Sequence, residues 1–190
     1  ETISIAYAGN IVDVWEKFDE ENLYIDLGSD QTSWHNPWAG GYYPVGLSYE
    51  EANEMMADNP EQFKKEVQHS LKRQADAINK HTAKGTYFFD YGNAFLLEAS
   101  RAGADIMSKD GKNFKYPSYV QDIMGPMCFD YGFGPFRWVC TSGKAEDLLK
   151  TDEIATSVLE ELKKDAPEEI QQQMQDNITW IKGAQENKLV

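Results

Sequence analysis

Residues 28 to 47 read Gly-Ser-Asp-Gln-Thr-Ser-Trp-His-Asn-Pro-Trp-Ala-Gly-Gly-Tyr-Tyr-Pro-Val-Gly-Leu. One stretch thus carries a carboxylate (Asp30), an amide (Gln31), two adjacent hydroxyls (Thr32, Ser33), an imidazole (His35) and the rings of Trp34, Trp38, Tyr42 and Tyr43. Such groups suit a ligand with flat rings and polar edges, because aromatic faces stack while amides and hydroxyls meet the edges. Asn36-Pro37 and Gly40-Gly41 are turn signals in any protein, and a plain surface loop would explain those four residues. It does not explain so many rings in a long loop without periodicity, a kind of segment that usually has a function. His35 is open to three roles: general base, ligand contact or loop hydrogen-bonder. The other two histidines, His69 and His81, fall on helical patterns, so a histidine metal cluster is not expected. No Ser-His-Asp or Cys-His set is fixed by spacing.

A second candidate is Arg137, the basic residue in the otherwise apolar run Phe136-Arg137-Trp138-Val139-Cys140. A guanidinium in such surroundings needs an anionic partner. Either it forms a structural salt bridge with one of the many carboxylates, or it grips a substrate carboxylate through two parallel hydrogen bonds.

The elements around these residues predict an α/β fold. Ile3 to Ala8 reads as a first strand that stops at Gly9-Asn10, after which Ile11, Val14, Trp15 and Phe18 recur at helical spacing. Leu23 to Leu27 reads as a second strand, so the 28–47 loop leaves its carboxyl end, where ligands bind in parallel sheets. Ser48-x-x-Glu51 predicts a capped helix start. The apolar rhythm from Ala52 to Ile78 is broken at Asn59-Pro60, which fits two helices with Asn59 as cap and Pro60 in the first turn. Tyr87 to Tyr91 reads as a further strand followed by a helix, which places Asp90, Tyr91 and Asn93 at the same rim. Asp110-Gly111 predicts a mobile turn within the polar stretch 108–116. Residues 117–136 are rich in proline, glycine and aromatics without periodicity, and Phe136 to Cys140 reads as a last strand. Thr151 is expected to cap one helix and Asp165-Ala166-Pro167-Glu168 to open another, with Ile170, Met174, Ile178 and Ile181 as its apolar stripe.

A chain of 190 residues can bury a substantial core. Its formal charge of −14, from 18 Lys plus Arg against 32 Asp plus Glu, argues against nucleic acid, whose phosphates need a basic face, and against an anionic membrane surface. No apolar run approaches the ~20 residues needed to span a bilayer, and no charged-then-apolar leader opens the sequence. A soluble, cytoplasmic protein is expected. The two cysteines, Cys128 and Cys140, are too few for a disulfide framework and read as free thiols.

Four strings together carry a family resemblance: GSDQTSWHNPWAGGYYPVGL at 28–47, DYGNAFLLEASRAGAD at 90–105, YPSYVQDIMGP at 116–126 and GFGPFRWVCTSG at 132–143. In this order they resemble the urocanase family, and the resemblance covers nearly the whole chain. It implies a Rossmann-like parallel sheet covered by helices over residues 1–143, and a helical segment over 144–190 that leads back to the core of a larger parent. It also implies a hydro-lyase that adds water to urocanate, with tightly bound NAD as an electrophile, in histidine degradation. The implied cofactor contacts are Asn10, Ile11, Gln31, Thr32, Ser33, Trp34, His35, Tyr42, Tyr43 and Tyr91. Arg137 is the implied substrate-carboxylate residue. The implied partners are urocanate, the remaining domains of the same polypeptide and a second copy in a homodimer. The chain lacks the family's upstream glycine-rich phosphate loop and its downstream catalytic region, so by itself it is expected to be inactive.

A second class of reading is a non-catalytic NAD-related binding or interaction module with the same fold. Flanking sequence separates the two, since only the hydro-lyase requires the phosphate loop and catalytic motifs in the same gene.

Overall fold

The computed structural model describes residues 2–31, 36–92, 94–134 and 140–187. The sequence-predicted residues Thr32, Ser33, Trp34, His35, Asn93 and Arg137, and most of the last predicted strand, lie outside them. The chain divides into two compact units, Glu1–Val120 and Gln121–Val190.

In the first unit, helix α1 (Ile11–Glu20) begins where the Asn10 side chain accepts a hydrogen bond from the Val12 amide, and it buries Val12 and Trp15. Strand β1 (Leu27–Asp30) follows, and after the loop comes α2 (Tyr49–Asp58). The predicted capping box is present: the Glu51 amide donates to the Ser48 hydroxyl at 3.2 Å, and the Ser48 amide to the Glu51 carboxylate at 2.8 Å. Helix α3 (Pro60–Ala83) starts on the Asn59 cap with Pro60 in its first turn, as the sequence predicts. Strand β2 (Tyr87–Asp90) and α4 (Ala94–Arg101) complete the unit's main elements.

β1 and β2 pair in parallel, Leu27 with Tyr87 through Asp30 with Asp90. The connection between them runs through α2 and α3, the helical crossover that a parallel pair requires. The core sits against this pair: Phe63, Val67, Leu71, Ala75 and Ile78 of α3, Phe88 of β2, and Phe95, Leu96 and Ala99 of α4 are buried. These positions on α3 recur every three to four residues, which puts them on one stripe. The fold is therefore α/β, with a parallel pair covered by helices.

Two strand assignments change. Among the described residues Ile3–Ala8 takes no part in a ladder, and its apolar side chains are exposed, Ile3 at 78% and Ile5 at 87%. Alternation supplies a strand pattern, but a strand exists only where a neighbour takes its N–H and C=O groups. The second predicted strand moves from Leu23–Leu27 to Leu27–Asp30, where Gly28 lies opposite buried Phe88 and buried Asp30 opposite buried Asp90, so that one face of the pair is turned to the core.

Gly28 has a packing reason. A Cβ there would lie 2.4 Å from Cη2 of Trp15, whose buried ring stands edge-on to His81 and Phe88. Gly28→Ala should overpack this contact and lower stability by about 1–3 kcal/mol. A thermal melt checks this, and an unchanged midpoint would show that Trp15 has room to shift.

The polar turn at 108–116 is closed by hydrogen bonds from the Ser108 amide to the Asn113 carbonyl at 2.9 Å and from the Lys112 amide to the Asp110 carboxylate at 3.0 Å. Gly111 supplies its positive φ of 66°.

The second unit holds a short turn α5 (Gly125–Met127) and two longer helices, α6 (Ala145–Lys163) and α7 (Glu168–Glu186). Leu159, Ala166, Ile170, Met174 and Ile178 are buried, and Ile181 is half-buried. Both cysteines are free, and burial pushes the Cys128 thiol above its usual range.

The caps of these helices differ from those predicted. α6 begins six residues before Thr151, with Glu146 and Asp147 in its first turn, where acidic groups complement the helix dipole. Thr151 is internal and returns its hydroxyl to the Asp147 carbonyl at 2.9 Å. α7 is entered from Pro167 without a side-chain cap, with Glu168 and Glu169 in its first turn. Among the described residues no helix is long and apolar enough to cross a membrane.

Candidate functional site

The parallel register brings two carboxylates to the ends of adjacent strands, Asp30 opposite Asp90. Both are buried, Asp30 at 8% exposure and Asp90 at 1%. A buried carboxylate needs several donors, and the two solve this differently. Asp90 accepts from the Gly92 amide at 3.2 Å and from the Leu96 amide at 3.0 Å. It therefore serves an otherwise unpaired N–H in the first turn of α4, where the helix dipole favours a negative charge.

Asp30 is held by side chains. The Tyr42 hydroxyl donates to one oxygen at 3.1 Å and the Gln74 amide of α3 to the other at 2.9 Å. Burial raises its carboxyl to about 6; the hydrogen bond from Gln74 opposes the rise, the charge of Asp90 adds to it, and the bond from Tyr42 opposes it.

The loop after β1 is fastened at several points beyond Asp30. Asn36 accepts from the Trp38 amide at 3.1 Å, and Gly40 takes a φ of 92° that permits the bend. The Tyr43 hydroxyl donates to Asn53 of α2 at 3.1 Å, and its ring stands edge-on to Phe63 and beside Tyr49. The Val45 amide donates to the Ser70 hydroxyl of α3 at 2.8 Å. Asn10 does two jobs: its oxygen caps α1 at Val12, and its amide donates to the Tyr43 carbonyl at 2.9 Å. One asparagine thus ties the start of α1 to the aromatic pair.

Tyr91 lies beside the same carboxyl ends. Its amide donates to the Asp30 carbonyl at 3.0 Å, and its half-exposed ring stacks on Tyr119 at 4.9 Å between centroids and 9° between planes. The Pro117 carbonyl accepts from the Asp90 amide at 2.9 Å, which brings Ser118 alongside the end of β2.

Of the sequence-predicted residues, the structure therefore gathers Asn10, Tyr42, Tyr43 and Tyr91 at one rim through direct hydrogen bonds among them or to Asp30. Ile11 opens α1 beside Asn10, and Gln31 is exposed directly after β1. Two participants, Gln74 and Ser70, were not legible as site residues. Gln74 interrupts the apolar stripe between Leu71 and Ile78, and a polar residue at a core position is the signal that could have found it.

The rim offers the amides of a helix N-terminus at α1, a stacked and partly exposed tyrosine pair and amide side chains. These donors and ring faces fit a nucleotide cofactor, whose phosphates suit helix N-terminal amides and whose base is flat. Among the described residues no group of three or more His, Cys, Asp or Glu side chains could hold a metal ion.

The chain is matched by two protein-family models. "Urocanase Rossmann-like domain" covers residues 1–123, and "Urocanase C-terminal domain" covers residues 126–190. It is 58% identical over 195 residues to "Probable urocanate hydratase" of Caenorhabditis elegans, across 100% of this chain. It is 56% identical over 193 residues to "Probable urocanate hydratase" of Dictyostelium discoideum, across 99% of the chain. The identity to "Urocanate hydratase" of Homo sapiens is 54% over 198 residues, across 100% of the chain. The chain spans 29% of the length of each of these relatives. With family models covering both compact units and these identities along its whole length, the chain belongs to the urocanase family.

Proposed function

We propose that the chain is part of a urocanate hydratase, a cytoplasmic hydro-lyase of histidine degradation, and that it supplies contacts to NAD and to the substrate carboxylate. The observation that carries this reading is the convergence, at the carboxyl ends of β1 and β2, of the Asn10-capped start of α1, the 36–47 aromatic loop and Tyr91. In parallel α/β sheets that rim is where nucleotides bind.

When bound, NAD supplies an electron sink for the imidazole of urocanate. The chain's own residues bind and orient. The cofactor contacts are Asn10, Ile11, the run Gln31, Thr32, Ser33, Trp34 and His35, the pair Tyr42 and Tyr43, and Tyr91. Arg137 grips the urocanate carboxylate through parallel hydrogen bonds. Holding two flat rings in register in this way removes orientational freedom before the chemical step. Residues 1–143 form the cofactor-binding portion and 144–190 a helical return to the remaining domains of the polypeptide. Two such polypeptides form the dimer.

The test compares the full-length polypeptide with the isolated chain. The full-length protein with NAD should consume urocanate, followed as loss of the ultraviolet absorbance of the conjugated substrate. The isolated chain should leave that absorbance unchanged and bind NAD only weakly in calorimetry, because pyrophosphate contacts come from a glycine-rich loop elsewhere in the polypeptide. A full-length protein inert toward urocanate would overturn the reading. An active isolated chain would overturn the assignment of the missing parts.

A further inference from the structure

Asp30 is an unusual residue to find where it sits. It is buried at the end of a strand, opposite a second buried carboxylate, Asp90, and among the described residues its carboxylate is held by the neutral side chains of Tyr42 and Gln74. Simple core packing is better served by a neutral residue of the same shape, since burying a charge costs more than its neutral hydrogen bonds return. What a carboxylate adds at this point is a pair of strong acceptors aimed in two directions. One oxygen takes the Tyr42 hydroxyl from the loop and the other takes the Gln74 amide from α3, while the Asp30 carbonyl takes the Tyr91 amide. The groups facing it from the packed elements are Tyr42 from the loop, Gln74 from α3 and Asp90 from β2.

We propose that Asp30 is a positioning residue: ionised, it clamps the 36–47 loop to the strand ends through Tyr42 and to α3 through Gln74, and so holds the loop aromatics in their binding arrangement. The cofactor side of this inference rests on the function proposed above. The clamp itself rests on the hydrogen bonds alone.

Protonation changes the clamp. A protonated carboxyl must donate one hydrogen bond, and both present partners face it as donors, so Gln74 has to turn its carbonyl inward or the Tyr42 hydroxyl has to rotate. The bonds that survive are neutral, about half as strong as charge-assisted ones. The carboxyl titrates near 6, so the clamp is tight at pH 8 and slack at pH 5. Asp30→Asn imitates the slack state at every pH, with little change of volume.

The experiment uses the full-length polypeptide as wild type, Asp30→Asn and Tyr42→Phe. Hydrogen exchange of the 36–47 amides is followed at pH 8 and pH 5, with NAD titrations and thermal melts alongside. At pH 8 both variants should exchange these amides and release NAD about tenfold faster than wild type, the difference expected between a charge-assisted and a neutral hydrogen bond. The Asp30→Asn melting temperature at pH 8 should equal or exceed that of wild type. At pH 5 wild type and Asp30→Asn should converge. Exchange unchanged by Asp30→Asn at pH 8, or a difference of the same size at both pH values, would overturn the clamp. If Asp30→Asn does not fold, Tyr42→Phe and the wild-type comparison between the two pH values still decide it. A wild type that binds no NAD would sink the cofactor reading and leave the exchange result standing on its own.

Discussion

Replacing Arg137 by lysine in the full-length polypeptide should raise the Michaelis constant for urocanate by about one to two orders of magnitude, the equivalent of losing a charge-assisted hydrogen bond of roughly 1.5–3 kcal/mol. Lysine keeps the positive charge but presents a point ammonium in place of a planar fork. One of two parallel bonds to the carboxylate is lost, and with it the fixed orientation of the substrate. Turnover should fall as well, because the imidazole is no longer held in register. The competing role makes the opposite prediction. A structural salt bridge would lower the melting temperature and leave the Michaelis constant near wild type. Measuring both quantities on one preparation separates the two, and a normal Michaelis constant with reduced stability would remove Arg137 from the substrate site.

Folding stability should depend on pH through Asp30 in the sense opposite to most carboxylates. Burial raises its folded-state carboxyl from the ordinary 3.8 to about 6. A group raised in this way favours the folded state while protonated: its contribution is complete below 3.8 and is lost as pH rises through 6. A shift of about 2 units corresponds to about 3 kcal/mol at 1.36 kcal/mol per unit. Asp19 behaves in the ordinary direction, since hydrogen bonds from Lys84 and Lys80 lower it to about 2. Its contribution disappears only below 3.8, outside the window that Asp30 governs. Denaturant unfolding of wild type and Asp30→Asn at pH 4.5 and pH 7.5 reads the effect of the Asp30–Asp90 pair, because carboxylates remote from it titrate alike in both proteins. The variant should gain on wild type as pH rises. A constant difference between them would show that Asp30 is not buried as a charge.

Helix starts were legible because a cap is a local contract: Ser48 and Glu51 sit three residues apart and satisfy each other, and Asn59 with Pro60 defines the entry to α3 within a few residues. The α3 stripe was legible because its period is built into helix geometry. The strand at Tyr87 and the position of the 36–47 loop at the rim followed from the strand-loop-helix order, whereas Gly28 to Asp30 belong to β1 rather than to the loop. The urocanase family was legible because long strings in a fixed order carry far more information than any single pattern.

Other features waited for the tertiary structure. Ile3–Ala8 alternates like a strand, yet pairing depends on a partner that local sequence does not name. Thr151 has the type of a cap but sits inside α6, which has already begun at Ala145 with Glu146 and Asp147 in its first turn. Above all, nothing local in the chain says that Asp30, Tyr42 and Gln74, up to 44 residues apart, meet at one point. The sequence by itself determined the helices of the first unit, the family and the residue types at the rim, because periodicity, caps and motif strings act over a few neighbours. Only the tertiary structure decided that a buried carboxylate joins loop, strand ends and α3, because burial and long-range hydrogen bonds are properties of the packed whole.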